Sequence, residues 1–152
     1  MYYTHLVFGV IAAILAKAAL NPANIFLFFA VVLIASIFPD IDRVNSKISK
    51  RIKLISFILN FIFGHRKIFH SVWPALMISF IIYLFSQIYG LAFGVGYLAH
   101  LFADGLTSSG ISPFYPLKKP KLSGFIQTGT IDEKILFIVA ILVVILLFIY
   151  MF

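Results

Sequence analysis

The segment 47–63, KISKRIKLISFILNFIF, decides how many times the chain crosses a membrane. Basic residues crowd its start (Lys47, Lys50, Arg51 and Lys53), and its uncharged part is the last ten residues, 54–63. Ten helical residues span about 15 Å, which is half of a hydrocarbon core about 30 Å thick. Apolar residues recur at spacings of four and three, at Ile48, Ile52, Ile55, Leu59 and Ile62. This pattern predicts an amphipathic helix that lies in the interface or re-enters the bilayer partway, and not a crossing helix.

The composition of the whole chain requires a lipid environment. Of its 152 residues, 62% are hydrophobic and 11% are charged, and the mean hydropathy is +1.10. Soluble domains are about 45–50% apolar and about 25% charged, so the composition excludes a soluble globular domain. A chain of this size forms one domain, 1–152. We therefore expect a single all-α integral membrane domain. Because the chain has no cysteine, disulfides and thiolate metal sites are excluded.

Five apolar runs are candidates for membrane spans, and they cover residues 4–20, 24–38, 72–88, 91–106 and 135–152. Asn21-Pro22 and Pro39 end the first two runs, and Ser71 is a suitable N-cap for the third. The sequence Thr130-Ile-Asp-Glu133 precedes the last run in the form of a capping box. No positively charged n-region or small-residue cleavage site precedes the first run, so a removable signal peptide is not expected. The prediction is about five transmembrane helices plus the interfacial helix at 47–63.

Five crossings place eleven of the twelve Lys and Arg residues, all except Lys17, on one side. The positive-inside rule identifies that side as cytoplasmic. We therefore expect a multi-pass protein with its N-terminus in the cytoplasm and its C-terminus outside. The net charge of +7 then reflects loop orientation and anionic lipid headgroups. Membrane lipids are expected as partners, and nucleic acid is not.

The histidines and carboxylates gather at the same side. Every one lies at the cytoplasmic end of a predicted span: His5, Asp40, Asp42, His65, His70, His100, Asp104, Asp132 and Glu133. An ionisable group inside a membrane costs at least about 2.5 kcal/mol and is by default a functional-site hypothesis. Because span length and basic charge alone fixed the topology, this convergence is an independent observation. The alternative is a purely structural network of interhelical hydrogen bonds.

These side chains form a ligand set of nitrogen and oxygen without sulfur, suited to zinc, manganese, iron or magnesium. His100 and Asp104 are four residues apart, so they share a helix face and could hold one ion or pair with each other. Asp40 and Asp42 follow a proline-terminated helix and can direct two carboxylates to one point. The donors outnumber the four ligands of one zinc ion, so one or two ions are expected. Two-metal sites commonly catalyse in-line displacement at phosphorus, and Arg66 is a candidate anion-binding fork.

Four ordered motifs resemble the YdjM-like, LexA-regulated family of inner-membrane metal-dependent hydrolases. After His5, the motifs are Pro39-Asp40-Ile-Asp42, Gly64-His65-Arg66 with His70-Ser71, Gly96-Tyr97-Leu-Ala-His100-Leu-Phe-Ala-Asp104-Gly-Leu-Thr107-x-x-Gly110, and Gly129-Thr130-x-x-Glu133. The resemblance covers nearly the whole chain. It implies a bacterial or archaeal cytoplasmic membrane and a metal-dependent hydrolase, whose His-x-x-x-Asp element is distantly similar to that of zinc-dependent phospholipases C.

Four residues depart from the family pattern. Arg43 stands where a His is expected after Pro-Asp-Ile-Asp, so a second ion has one candidate ligand fewer. Lys67 and Phe69 replace smaller residues before the second histidine of their motif, and Ser108 replaces a Pro after Leu-Thr. These last three changes are expected to alter the shape of the entrance to the site.

The sequence thus predicts a membrane-embedded metal-dependent hydrolase that cleaves a phosphoester of a lipid or other amphiphile at the cytoplasmic face. The predicted metal ligands, with zinc favoured, are His5, Asp40, His65, His70, His100, Asp104 and Glu133. Asp42 is a candidate bridging ligand or general base, and Arg66 is the candidate for stabilising charge on the phosphoryl oxygens. One alternative is a metal-dependent peptidase or amidase, for which the His-Glu-x-x-His signature is absent. Another is a divalent-metal-binding membrane protein without catalytic activity.

Overall fold

The computed structural model describes residues 1–42, 68–117 and 121–151, without the side chains of residues 41 and 42. The regular elements of these residues are all helices, which confirms the all-α part of the predicted fold class. The elements are α1 (Tyr2–Leu20), α2 (Ile25–Ile37), a 3₁₀ helix (Phe38–Asp42), α3 (Val72–Phe85), α4 (Gln87–Gly105) and α5 (Ile131–Met151). The interfacial helix predicted at 47–63 lies outside the described residues.

Asparagines form the tight connection between α1 and α2. Asn21 ends α1 in the left-handed conformation, with φ 41° and ψ 60°, which asparagine tolerates better than most residues. Asn24 caps α2, since its side chain accepts a hydrogen bond of 3.0 Å from the backbone N–H of Leu27. The two helices are therefore packed neighbours, as the short polar break predicts.

The break between α3 and α4 lies earlier than predicted. The sequence places the third run at 72–88, but α3 ends at Phe85 and Ser86 adopts an extended conformation, with φ −156° and ψ 113°. Gly90, expected in the turn, lies inside α4 against the backbone of Tyr83. A Cβ at Gly90 would come within 2.5 Å of the Tyr83 Cα. This glycine therefore permits close helix contact and does not form the turn.

Helix α4 is the centre of the bundle and packs against α1, α2 and α3, whereas α5 packs against α1 alone among the described helices. Helix α2 approaches α4 so closely at Gly96 of α4 that a Cβ on this glycine would overlap the carbonyl oxygen of Val32 in α2. Tyr97, Phe28 and Val32 are fully buried around this crossing. Small residues thus bring α2 and α4 together, as in other membrane bundles.

Two of the described helices, α1 and α5, are long and apolar enough to cross a membrane by length and composition. Helices α2 and α3 have 13 and 14 residues, or about 20 Å each, which is shorter than a hydrocarbon core of about 30 Å. The prediction of five crossings is therefore not confirmed. Ala140 is the one buried residue in the described part of α5. Most of the large apolar side chains of this helix are exposed.

We predict that Gly96→Ala destabilises the fold by about 1–3 kcal/mol, because the added methyl group forces α2 away from α4. Gly105→Ala is the matched control, since a Cβ there meets nothing within 4 Å. Thermal unfolding followed by circular dichroism in detergent should show a lower midpoint for Gly96→Ala and no decrease for Gly105→Ala. Equal midpoints for the two variants would contradict the close α2–α4 packing.

Candidate metal centre

Four helix ends meet at one end of the bundle and bring five ionisable side chains together. His5 comes from the start of α1, Asp40 from the 3₁₀ helix after α2, and His70 from the residues before α3. His100 and Asp104 lie in the last two turns of α4. His5 and His100 are fully buried, and Asp104, the most exposed of the five, is 9% exposed. The structure thus assembles five of the seven predicted ligands in a site largely closed to solvent.

Asp104 contacts all three histidines of this cluster. Its Oδ1 atom lies 3.4 Å from His5 Nε2, and its Oδ2 atom lies 3.3 Å from His70 Nε2 and 3.6 Å from His100 Nε2. The Nε2 atoms of His70 and His100 are 3.4 Å apart. Donor atoms bound to one tetrahedral zinc ion at about 2.0–2.1 Å lie about 3.3–3.4 Å from one another. Each of these four separations is therefore close to the distance between two donors bound to one ion.

A backbone carbonyl fixes the orientation of His100. The carbonyl oxygen of Ser36 lies 2.9 Å from His100 Nδ1, and because a carbonyl only accepts, Nδ1 carries the proton and donates it. The lone pair of Nε2 is then directed into the cluster. Metal-ligating histidines characteristically donate their second ring N–H to a carbonyl or carboxylate in this way.

His5 lies against His100 with its ring stacked, at a centroid distance of 4.0 Å and an interplanar angle of 19°. Within the described part of the chain, neither ring nitrogen of His5 forms a hydrogen bond, although both are buried. An unsatisfied buried polar group costs about 1–3 kcal/mol. A metal ion bound at Nε2 would remove part of that cost, so the environment of His5 also fits a metal centre.

Two overlapping groups of three donors could hold a metal ion. The first group is His5, His100 and Asp104, and the second is Asp40, His70 and His100. Within each group the donor atoms lie within 4.8 Å of one another. His100 belongs to both groups, and Ser36 occupies one of its two ring nitrogens. A single free nitrogen binds a single ion. The two groups therefore compete for this nitrogen of His100.

Of the other predicted site residues, only the Glu133 side chain is among those that the structure describes. His65 and Arg66 lie outside the described residues, as does the side chain of Asp42. The Glu133 carboxylate pairs with the amino group of Met1, accepts a hydrogen bond of 2.7 Å from the Gly129 N–H, and lies 3.4 Å from the Thr4 hydroxyl. In this structure Glu133 connects the start of α1 to the start of α5 beside the cluster, and its role as a ligand stays a prediction.

Two hydroxyl groups that sequence reasoning did not assign hold the cluster in place. The Tyr97 hydroxyl donates a hydrogen bond of 2.6 Å to the carbonyl of Phe69, next to His70. The Thr107 hydroxyl donates one of 2.7 Å to the carbonyl of Asp104. Tyr97 precedes His100 by three residues, the spacing of side chains that share a helix face, and this was the available signal.

Comparison with known proteins gives a family match over the whole chain. The family model described as YdjM inner membrane protein matches residues 1–152. The uncharacterized protein YvsG of Bacillus subtilis strain 168 is 28% identical over 105 residues, which cover 67% of this chain and 66% of YvsG. The inner membrane protein YdjM of Escherichia coli strain K12 is 29% identical over 128 residues, covering 75% of this chain and 64% of that protein.

The inner membrane protein YdjM of Shigella flexneri matches with the same identity and coverage. The chain thus spans slightly less than two thirds of the length of these relatives. No solved structure matches this chain significantly.

We predict that Asp104→Asn abolishes divalent-metal binding, because Asp104 contacts every histidine of the cluster and an amide is a much weaker ligand than a carboxylate. Asp132→Asn is the control, since it makes the same change at an exposed carboxylate outside both donor groups. Elemental analysis of the two purified variants should find metal with Asp132→Asn and less than about a tenth of an equivalent with Asp104→Asn. Equal metal contents would contradict this assignment.

Proposed function

This chain belongs to the YdjM inner membrane protein family, and we propose that it is a membrane-embedded, metal-dependent hydrolase. Its substrate is a phosphoester of a lipid or another amphiphile, and its site faces the cytoplasm. The observation that carries this proposal is the convergence of three histidines and two aspartates, all at least nine-tenths buried, at one end of an otherwise apolar bundle.

The burial of the cluster favours chemistry over mere helix pairing. Each ionisable group in a bilayer costs at least about 2.5 kcal/mol, and apolar residues of similar volume often stabilise packed helices as well as buried ion pairs do. A structural role would be met by fewer groups with complete hydrogen bonding. His5, whose ring is stacked on His100 and whose buried nitrogens form no hydrogen bond among the described residues, is better explained as a ligand.

Zinc is the ion we propose, held by His5, His70, His100 and Asp104, with Asp40 beside them. Imidazole nitrogen and carboxylate oxygen are its usual ligands in proteins without available thiolates, while manganese, iron and magnesium remain the alternatives. A divalent ion supplies Lewis-acid chemistry, since it polarises a phosphoryl oxygen and activates water as a nucleophile. The carboxylates of Asp104 and Asp40 keep the ligand set anionic.

The remaining catalytic roles rest on the sequence. Asp42 follows Asp40 by two residues and is proposed as the general base that accepts the proton of the attacking water. Arg66 is proposed to donate hydrogen bonds to the phosphoryl oxygens as their negative charge grows, because guanidinium binds phosphate in a bidentate manner.

The position of the site supports an amphiphilic substrate. We propose that α1 and α5 cross the membrane with the cluster at the end predicted to be cytoplasmic, so that the site lies close to the cytoplasmic boundary of the hydrocarbon. In the group formed by His5, His100 and Asp104, the Asp104 side chain is 12% exposed, whereas the side chains of both histidines are fully buried. A substrate that diffuses within the bilayer reaches such a site without leaving the membrane. In the full proposed topology, α2, α3 and α4 also cross, and membrane lipids are the surrounding partners.

Hydrolysis assays on the full chain in lipid nanodiscs test the proposal. We expect the wild-type protein to release p-nitrophenol from bis-p-nitrophenyl phosphate, to lose this activity with a chelator and to regain it with zinc. Asp104→Asn should lower the rate at least about a hundredfold, because it removes the carboxylate ligand of the ion that would stabilise the transition state, while Asp132→Asn serves as the matched control. Cleavage of peptides but not phosphoesters would instead identify a peptidase, and bound metal without hydrolysis of either would identify a non-catalytic metal-binding protein.

A further inference from the structure

Tyr97 of α4 extends to the turn that carries His70. Its side chain is fully buried, and its hydroxyl group donates a hydrogen bond of 2.6 Å to the carbonyl oxygen of Phe69. Within the turn, residues 68–71, the N–H and the hydroxyl of Ser71 both donate to the carbonyl of Ile68, at 3.0 and 2.6 Å. The turn is therefore closed on itself, and Tyr97 connects it to α4.

The distance of this turn from α4 decides whether His70 reaches the other donors of the cluster. Its Nε2 atom lies 3.3 Å from Asp104 Oδ2 and 3.4 Å from His100 Nε2, and both of these partners belong to α4. Tyr97 belongs to the same helix, three residues before His100, so it lies near the same face. One helix thus supplies two donors and also the hydroxyl group that holds the turn beside them.

The Tyr97 ring packs against the segment that carries Asp40. The centroid of this ring lies 6.3 Å from that of Phe38, the first residue of the 3₁₀ helix and two positions before Asp40. In the donor group of Asp40, His70 and His100, the first two members come from outside α4. Tyr97 therefore contacts a near neighbour of each of them.

We propose that Tyr97 is a positioning residue, which holds His70 at ligating distance from the ion that His100 and Asp104 bind. The inference rests on the metal-dependent function proposed above and adds to it a residue that acts through the Phe69 backbone and not by contact with the ion. Groups that orient metal ligands through hydrogen bonds typically contribute about 10–100-fold to metal affinity. Loss of the hydroxyl group should thus weaken metal binding while the fold is retained.

Tyr97→Phe removes the hydroxyl group and leaves the ring. The ring keeps its packing against Phe38 and against Phe93, at centroid distances of 6.3 and 6.0 Å, so α4 should stay in place. Tyr83→Phe is the matched control, because it makes the same change near the end of α3 that is distant from His70, where the side chain is 39% exposed. Thermal unfolding of the metal-free proteins checks that both variants are folded.

Modification of histidines by diethyl pyrocarbonate, followed by mass spectrometry, tests the position of His70 without any metal. His5, His70 and His100 are all buried, so their reaction requires local opening. In metal-free Tyr97→Phe, His70 should react about two- to tenfold faster than in the wild type, the factor by which loss of one hydrogen bond shifts an opening equilibrium. His5 and His100 should keep their wild-type rates, as should all three histidines in Tyr83→Phe. An equal increase at all three histidines, or no increase at His70, would overturn the proposal.

Zinc affinity, measured by competition with a chromophoric chelator, tests the effect on the ion. Tyr97→Phe should bind zinc about 10–100-fold more weakly than the wild type, and Tyr83→Phe should match the wild type. In a His70→Ala background, Tyr97→Phe should have no further effect, because a residue that acts through His70 requires that side chain. Full additivity of the two substitutions would contradict the proposal.

The outcomes separate this inference from the proposed hydrolase. Weaker zinc binding and faster His70 modification in Tyr97→Phe, without hydrolysis of any phosphoester by the wild type, would refute the hydrolase and leave Tyr97 as a positioning residue. Hydrolysis by the wild type, with unchanged zinc affinity in Tyr97→Phe, would support the hydrolase and refute the role of Tyr97. Absence of zinc binding by the wild-type protein would overturn both.

Discussion

Ionisable side chains buried away from water have to neutralise one another or bind an ion, and this constraint governs the end of the bundle where α1, α2, α3 and α4 meet. Asp104 lies within 3.6 Å of the ring nitrogens of His5, His70 and His100. These residues belong to α1, α4 and the segment before α3. The contacts therefore fix how far each helix is shifted along its axis relative to the others. Because each unsatisfied group costs about 1–3 kcal/mol, the cluster and the fold are energetically coupled, and an ion bound there would stabilise the helix ends.

The close packing around α4 positions the same cluster of side chains. Gly96 lets the helix lie against the Val32 carbonyl of α2, and this approach brings the carbonyl of Ser36 to His100. Tyr97 extends from α4 to the Phe69 carbonyl and so fixes the backbone next to His70. The side chains that position the cluster are thus neutral, and they surround an ionisable centre within an apolar bundle.

Local signals in the sequence predicted the described helices, although not all their boundaries, and part of the site. Asn21-Pro22 ends α1 where the sequence predicts, and the spacing of four between His100 and Asp104 predicts their shared face. The position of Ser86 in the α3–α4 turn was missed, because serine fits a helix end and a helix interior alike and Gly90 was the more conspicuous breaker. The number of crossings was also beyond local signals, since α2 and α3 are shorter than a full span. The spacing of three between Tyr97 and His100 indicates their shared helix face. The hydrogen bonds from Tyr97 to the Phe69 carbonyl and from His100 to the Ser36 carbonyl join residues distant in sequence, which no spacing rule reveals.

The most direct test of a metal centre is X-ray absorption spectroscopy at the zinc edge on the purified wild-type protein. The proposed ligands predict a first shell of nitrogen and oxygen at about 2.0–2.1 Å, with the outer-shell scattering of about three imidazole rings. Sulfur scattering at about 2.3 Å is not expected, because the chain has no cysteine. A spectrum without imidazole scattering, or a protein that contains no transition metal and takes up none, would contradict the account.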